Sequence, residues 1–121
     1  MRRAVALALL VVTCGPGKQE RQAREAALAH DLFEMRKAID DFRADKKRGP
    51  HSLSELKTTH YLRDIPPDPL TGSRNWRVTI EEPVRNDDFT TGTPPAQEPD
   101  VVEVHSRAAG KDTNGKPYAD Y

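Results

Sequence analysis

Chemistry in this 121-residue chain would fall to one cysteine, four histidines, a run of three cations and one tryptophan. Cys14 is the only thiol, so no disulfide can form within the chain. No base lies beside it, and it follows an apolar run directly, so its place suits covalent modification rather than nucleophilic catalysis. His30, His51, His60 and His105 are scattered and show no ligand spacing such as H-x3-H. They read as surface histidines. Lys46, Lys47 and Arg48 offer positive charge to phosphate or anionic lipid, but a helix C-terminus accounts for them without a partner. Trp76 fits a core or strand-start aromatic better than a ligand platform. G-x-S-x-G, H-E-x-x-H and phosphate-loop motifs are absent, and the expectation is a non-enzyme.

The segment that carries Cys14 explains it best. Arg2 and Arg3 precede the apolar run 4–12, and Gly15, Pro16 and Gly17 follow the cysteine. The run is about half of the ~20 residues that a membrane-spanning helix needs. A basic start, a short apolar stretch and a small-residue boundary read as a signal peptide over residues 1–13. Val11-Val12-Thr13-Cys14 resembles the lipobox of bacterial lipoproteins, although Thr13 stands where Gly, Ala or Ser is usual. The expectation is a lipid on Cys14, residues 14–17 as the anchor linker, and a periplasm-facing place in the cell envelope. Plain secretion and an uncleaved anchor are the alternatives. Cleavage would leave 108 residues with 17 basic and 19 acidic side chains, a net charge near −2. That length holds one domain with a modest core. That balance gives no electrostatic case for nucleic acid as a partner.

The remaining residues must build that domain. Leu28, Leu32, Met35, Ile39 and Phe42 are spaced 4, 3, 4, 3 and draw one apolar stripe along a helix over residues 18–47. Glu20/Arg24, Arg21/Glu25, Arg36/Asp40 and Lys37/Asp41 are expected as solvent-side i,i+4 pairs. Gly49 is expected to take the left-handed cap, and Pro50 forbids continuation. Ser52-Leu53-Ser54-Glu55 is a capping box that opens a short helix to about residue 59, with Leu53 and Leu56 inward and Glu55 reaching back to Ser52. Tyr61-Leu62 follows as an anchor, and residues 65–72 form a proline-stiffened loop. Residues 76–82 alternate Trp76, Val78 and Ile80 with polar neighbours, a half-buried strand. Residues 83–99 read as a long mobile connection. Residues 101–105 alternate Val102 and Val104 with Glu103, a second strand that pairs with the first. Residues 108–121 are a polar tail with an Asn114-Gly115 turn. The fold class is α+β, a long N-terminal helix packed on a small antiparallel sheet, with a loop-rich C-terminus.

This order of elements resembles the periplasmic domain of type II secretion pseudopilins, above all the major pseudopilin, and more distantly type IV pilins. The residues that carry it are LFEMRKAIDDFRADK (32–46), Gly49-Pro50 with Leu53-Ser54-Glu55-Leu56, and YLRDIPPDP (61–69) with Thr71-Gly72. Trp76, residues 102–106, Gly110 and Gly115-Lys116-Pro117-Tyr118 continue it, so that residues 18–121 form a pseudopilin-like domain. Family members begin with a prepilin peptidase site and one unbroken helix of about 20 apolar residues, which forms the filament core. Here a lipoprotein-like signal and Gly15-Pro16-Gly17 stand in that place, and filament assembly is not expected.

The resemblance implies a structural or interaction role beside secretion or pilus proteins, with the membrane reached through the lipid. It also implies calcium in the C-terminal loop. Ala109 stands where the family often has an acid, which leaves Asp112, Asn114 and Asp120 as the oxygen donors, few for a cation that takes six to eight. The first alternative is an envelope lipoprotein that reuses the fold to bind a soluble ligand or ion, and the second is an enzyme accessory.

Overall fold

The computed structural model describes residues 17–82 and 97–121. The expected signal peptide, Cys14 with its linker up to residue 16, and most of the expected connection over 83–99 lie outside the described residues.

Helix α1 runs Lys18–Lys46. Its stripe is buried as the spacing predicts: Leu28, Leu32, Met35, Ile39 and Phe42 are all in the core, joined by Ala38. The first turns, residues 18–24, are exposed on every side. Of the four expected ion pairs, Arg24–Glu20 closes at 2.9 Å and Lys37–Asp41 at 2.6 Å. The other two are corrected. Arg36 leaves Asp40 and turns to Glu103 on the sheet. Glu25 is not on the solvent side, for it is only 6 % exposed, and Arg21 stands 4.0 Å from it.

The helix ends at Lys46, three residues before Gly49. Lys47, not Gly49, takes the left-handed conformation at φ 59°, and its N–H returns to the Arg43 carbonyl. Gly49 is required for closeness instead. Its N–H donates to Asp100 Oδ2 at 2.9 Å. A Cβ on Gly49 would lie 2.8 Å from the Asp100 Cβ and 3.0 Å from the Val101 carbonyl oxygen. The Val101 N–H then donates to the Pro50 carbonyl at 2.7 Å.

Helix α2 runs Leu53–Thr58, with Ser52 as its N-cap accepting from the Glu55 N–H and with Leu53 and Leu56 buried. The reciprocal half of the capping box is shifted by one residue. Glu55 accepts from the His51 N–H at 2.7 Å, because Arg48 holds the same carboxylate at 2.5 Å. The Arg48 hydrogen bond, followed by that of the His51 backbone, keeps the Glu55 carboxyl below the usual range against the opposing effect of burial. Phe42 of α1 meets Tyr61, just beyond α2, edge to face at 5.3 Å.

The stiff loop is pinned from within. Trp76 is buried and donates its indole N–H to the Pro66 carbonyl at 2.8 Å, and Arg74 donates to the Ile65 carbonyl at 2.9 Å. Strand β1 runs Arg77–Glu81 and strand β2 Asp100–His105, in one antiparallel two-stranded sheet. The fold is therefore α+β, one long helix against a small antiparallel sheet. The pairs Arg77–His105, Val78–Val104 and Thr79–Glu103 are regular, and then Ile80 meets Val101, leaving Val102 as a bulge. This corrects the expected alternation in β2. The extra residue lets Val101 and Val104, three apart, both face the core, while Val102 is only partly buried. The burial expected for β1 is also corrected. Val78 and Ile80 do lie opposite the buried valines, but α1 packs on β2 and leaves them 37 % and 52 % exposed. No helix among the described residues is long and apolar enough to cross a membrane.

Candidate functional site

The polar side chains converge where the C-terminal segment folds back over α1 and the end of β2. Glu25 is the centre. It accepts from the Thr113 N–H at 3.0 Å, from the Thr113 hydroxyl at 2.9 Å and from the Tyr118 hydroxyl at 2.9 Å. Three donors satisfy a carboxylate that burial would otherwise penalise. Arg21, one turn earlier, donates to the Lys111 carbonyl at 3.3 Å.

Asp112 holds the turn that follows. Its Oδ1 accepts from the N–H groups of Asn114 and Lys116, each at 2.8 Å, and its Oδ2 accepts from the Tyr121 hydroxyl at 2.6 Å. Gly115 completes the turn at φ 85°, a conformation that L side chains rarely adopt. The Tyr121 hydrogen bond, with help from the two backbone donors, keeps the Asp112 carboxyl below its usual range. The same bond, joined by burial and the Asp112 charge, pushes the Tyr121 phenol up to about 12.

Arg36 ties the segment to the sheet. Its guanidinium pairs with Glu103 and donates to the Val104 carbonyl at 2.9 Å and the Tyr121 main-chain oxygen at 2.6 Å. His105 Nδ1 lies 3.0 Å from that same oxygen, and Arg77 donates to the Ala119 carbonyl at 3.0 Å. Between α1 and this segment runs an open cleft of about 560 Å3, with Gln22, Ala29, Arg36, Asn114, Lys116 and Tyr121 among its walls. The Lys116 ammonium stands over the Tyr121 ring at 4.9 Å.

A second polar centre is buried beside the stiff loop. Asp68, 2 % exposed, accepts from the Ser106 hydroxyl and from the Leu70 N–H at 2.8 Å. Ser106 in turn accepts from the Ala108 N–H at 3.0 Å. The serine thus braces the loop against the end of the sheet. Burial raises the half-buried Asp31 carboxyl on α1 against the lowering effect of His30, and the Asp68 charge adds a smaller push in the same direction as burial.

The expected site residues divide accordingly. All five stripe residues form the core face. Asp112 and Asn114 come together, but through the Asn114 backbone and not its amide, and Asp120 sits in the 3-10 turn Tyr118–Asp120. Among the described residues no group of three or more His, Cys, Asp or Glu is placed to hold a metal. Arg48 is committed to Glu55 and lies over the Phe42 ring, so it is not part of a free basic patch. The sequence reading missed Glu25, Arg36 and Asp68. Glu25 was legible, since it stands three residues before Leu28 and extends the same stripe.

Comparison with protein-family models, curated proteins and solved structures finds no match.

Proposed function

We propose that this chain is a non-enzymatic structural or interaction component, pilin-like and related to type II secretion pseudopilins, held at the periplasmic side of the cell envelope by a lipid on Cys14. One observation carries the reading: the order of elements. A long helix, a glycine-proline stop, a short capped helix, a proline-stiffened loop and two antiparallel strands follow one another as in that family. The C-terminal segment folded back on α1 through Glu25, Asp112 and Arg36 is compatible with the family's C-terminal loop. The partners are secretion or pilus apparatus proteins, met through the polar side of α1 and the loops. With Gly15-Pro16-Gly17 interrupting the chain just before α1, the role we propose is attachment to an apparatus rather than assembly of a filament core.

Purification of the full chain from detergent-solubilised membranes, with partners identified by mass spectrometry, tests the reading. Stoichiometric recovery of secretion or pilus components supports it. Recovery with unrelated envelope proteins alone, or with none, overturns it.

The cleft beside α1 favours a second reading, an envelope lipoprotein that binds a small soluble ligand. Its walls combine Arg36, Lys116 and Asn114 with the Tyr121 ring and the apolar Ala29. A ligand that protects Lys116 from acylation in the full chain, with no apparatus component recovered, would favour it.

A further inference from the structure

Strand β1 ends in an unusual symmetry of residue types. Its sequence is Arg77-Val78-Thr79-Ile80-Glu81, basic at one end, acidic at the other, apolar at the second and fourth places. Among the described residues its outer edge has no strand partner. Val78 and Ile80 lie opposite the buried Val104 and Val101, so they continue the core face of the sheet past the cover that α1 gives. An exposed, paired-on-one-side strand is a template for another strand.

We propose that the occupant of this edge is β1 of a second copy, antiparallel and centred on Thr79. In that register Arg77 faces Glu81 of the partner subunit, Val78 faces Ile80 of the partner subunit, and the two Thr79 residues face each other. Each end thus gains an opposite-charge cross-strand pair, and the centre gains an apolar pair and a threonine pair, all favourable contacts across strands. Shifting the register by two residues loses both charge pairs. The two-fold axis runs through the sheet, so both α1 helices lie on the same side and flank four apolar side chains. Both charges can still serve: Arg77 has donors beyond the one on the Ala119 carbonyl, and Glu81, paired with Arg43 at 3.8 Å, keeps a largely exposed side chain. The pairing is closed, since the same edge serves both copies and the contact uses it up. It is a weak contact, because five residues a side bury little area. It stands whether or not the chain is pseudopilin-like.

The test uses the full chain carrying Cys14→Ser, which has no thiol of its own. Sedimentation velocity should show a monomer–dimer equilibrium that rises with concentration. Added Thr79→Cys should form an interchain disulfide under mild oxidation, for opposed residues in an antiparallel pair lie about 4.5–5.5 Å apart, within disulfide reach. Arg77→Cys should not, since the two copies of residue 77 would be about 14 Å apart along the strands. Arg77→Glu should weaken the dimer about tenfold, and adding Glu81→Arg to it should restore the affinity. A monomer at every concentration overturns the proposal, and slow amide exchange along the outer edge of β1 in that monomer would assign the edge to another segment of the same chain. Equal cross-linking at residues 77 and 79, or failure of the double charge reversal to restore the dimer, overturns it as well.

Discussion

Glu25 shows what one buried charge can organise. Its carboxylate has a donor on each oxygen and is only 6 % exposed. Glu25→Ala would strand the Tyr118 hydroxyl and the Thr113 N–H, and each buried group left unpaired costs about 1–3 kcal/mol. Denaturant melts should therefore show a clear loss of midpoint, and a loss under about 0.5 kcal/mol, usual for surface positions, would mean that the carboxylate does not hold the segment. The Asp112–Tyr121 pair adds a dependence on pH at both extremes. The Asp112 carboxyl is depressed, so its contribution is present above the ordinary value of 3.8 and fades as pH falls through the lower folded value. The Tyr121 phenol is raised from 10.0 to about 12, so its contribution is complete below pH 10 and is lost as pH rises through that interval. Near-ultraviolet circular dichroism, followed from pH 2 to 12, should report the C-terminal segment loosening at both ends, and Tyr121→Phe should remove the alkaline event.

At the scale of elements, α1 and the Gly49 junction carry the fold. Ile39→Ala should cost about 2–5 kcal/mol and Phe42→Ala about 3–5 kcal/mol, since both are fully enclosed. If instead the stripe served an outside partner, the isolated chain would lose little, so a denaturant midpoint decides between internal packing and external docking. Gly49→Ala should destabilise although the glycine has no unusual φ. The added methyl meets the Asp100 side chain and the Val101 backbone, and backbone cannot give way as the end of a long side chain can. Both helices were legible in the sequence because a 3.6-residue period and a capping serine are local signals. The strands were legible in place but not in burial. A bulge is a fact about two strands at once, and nothing in residues 101–105 alone says that Val102 will be passed over. Likewise the exposure of Val78 and Ile80 depends on where α1 comes to rest. The polar centres were least legible in their partners, which lie far along the chain: 88 to 93 positions from Glu25, 67 to 85 from Arg36, and 38 between Asp68 and Ser106.

Lipid attachment and calcium each act on the molecule as a whole. Intact mass of membrane-extracted protein should begin at Cys14 with added acyl mass, and Cys14→Ser should release the chain from membranes. An unmodified chain that starts elsewhere would remove the lipid from the proposal. Calcium is expected to change the melting midpoint little, because Asp112 already accepts three hydrogen bonds. A hundredfold excess over Kd would add about 2.7 kcal/mol. A rise of many degrees with millimolar calcium against chelator, abolished by Asp120→Ala, would instead make the C-terminal segment a metal site.

The bare first turns of α1 have a mechanical meaning. Seven residues, 18–24, continue the helix outward with no core beneath them, a length of about 10 Å at 1.5 Å per residue. Arg21 braces this stub against Lys111, and the Arg24–Glu20 pair stiffens it from within. Whatever grips the chain at Gly17 therefore holds the domain by a handle and not by a tether. A tilt of that handle turns the whole body with it, so the attitude of sheet, cleft and β1 edge is set by the direction in which a single helix leaves its mooring.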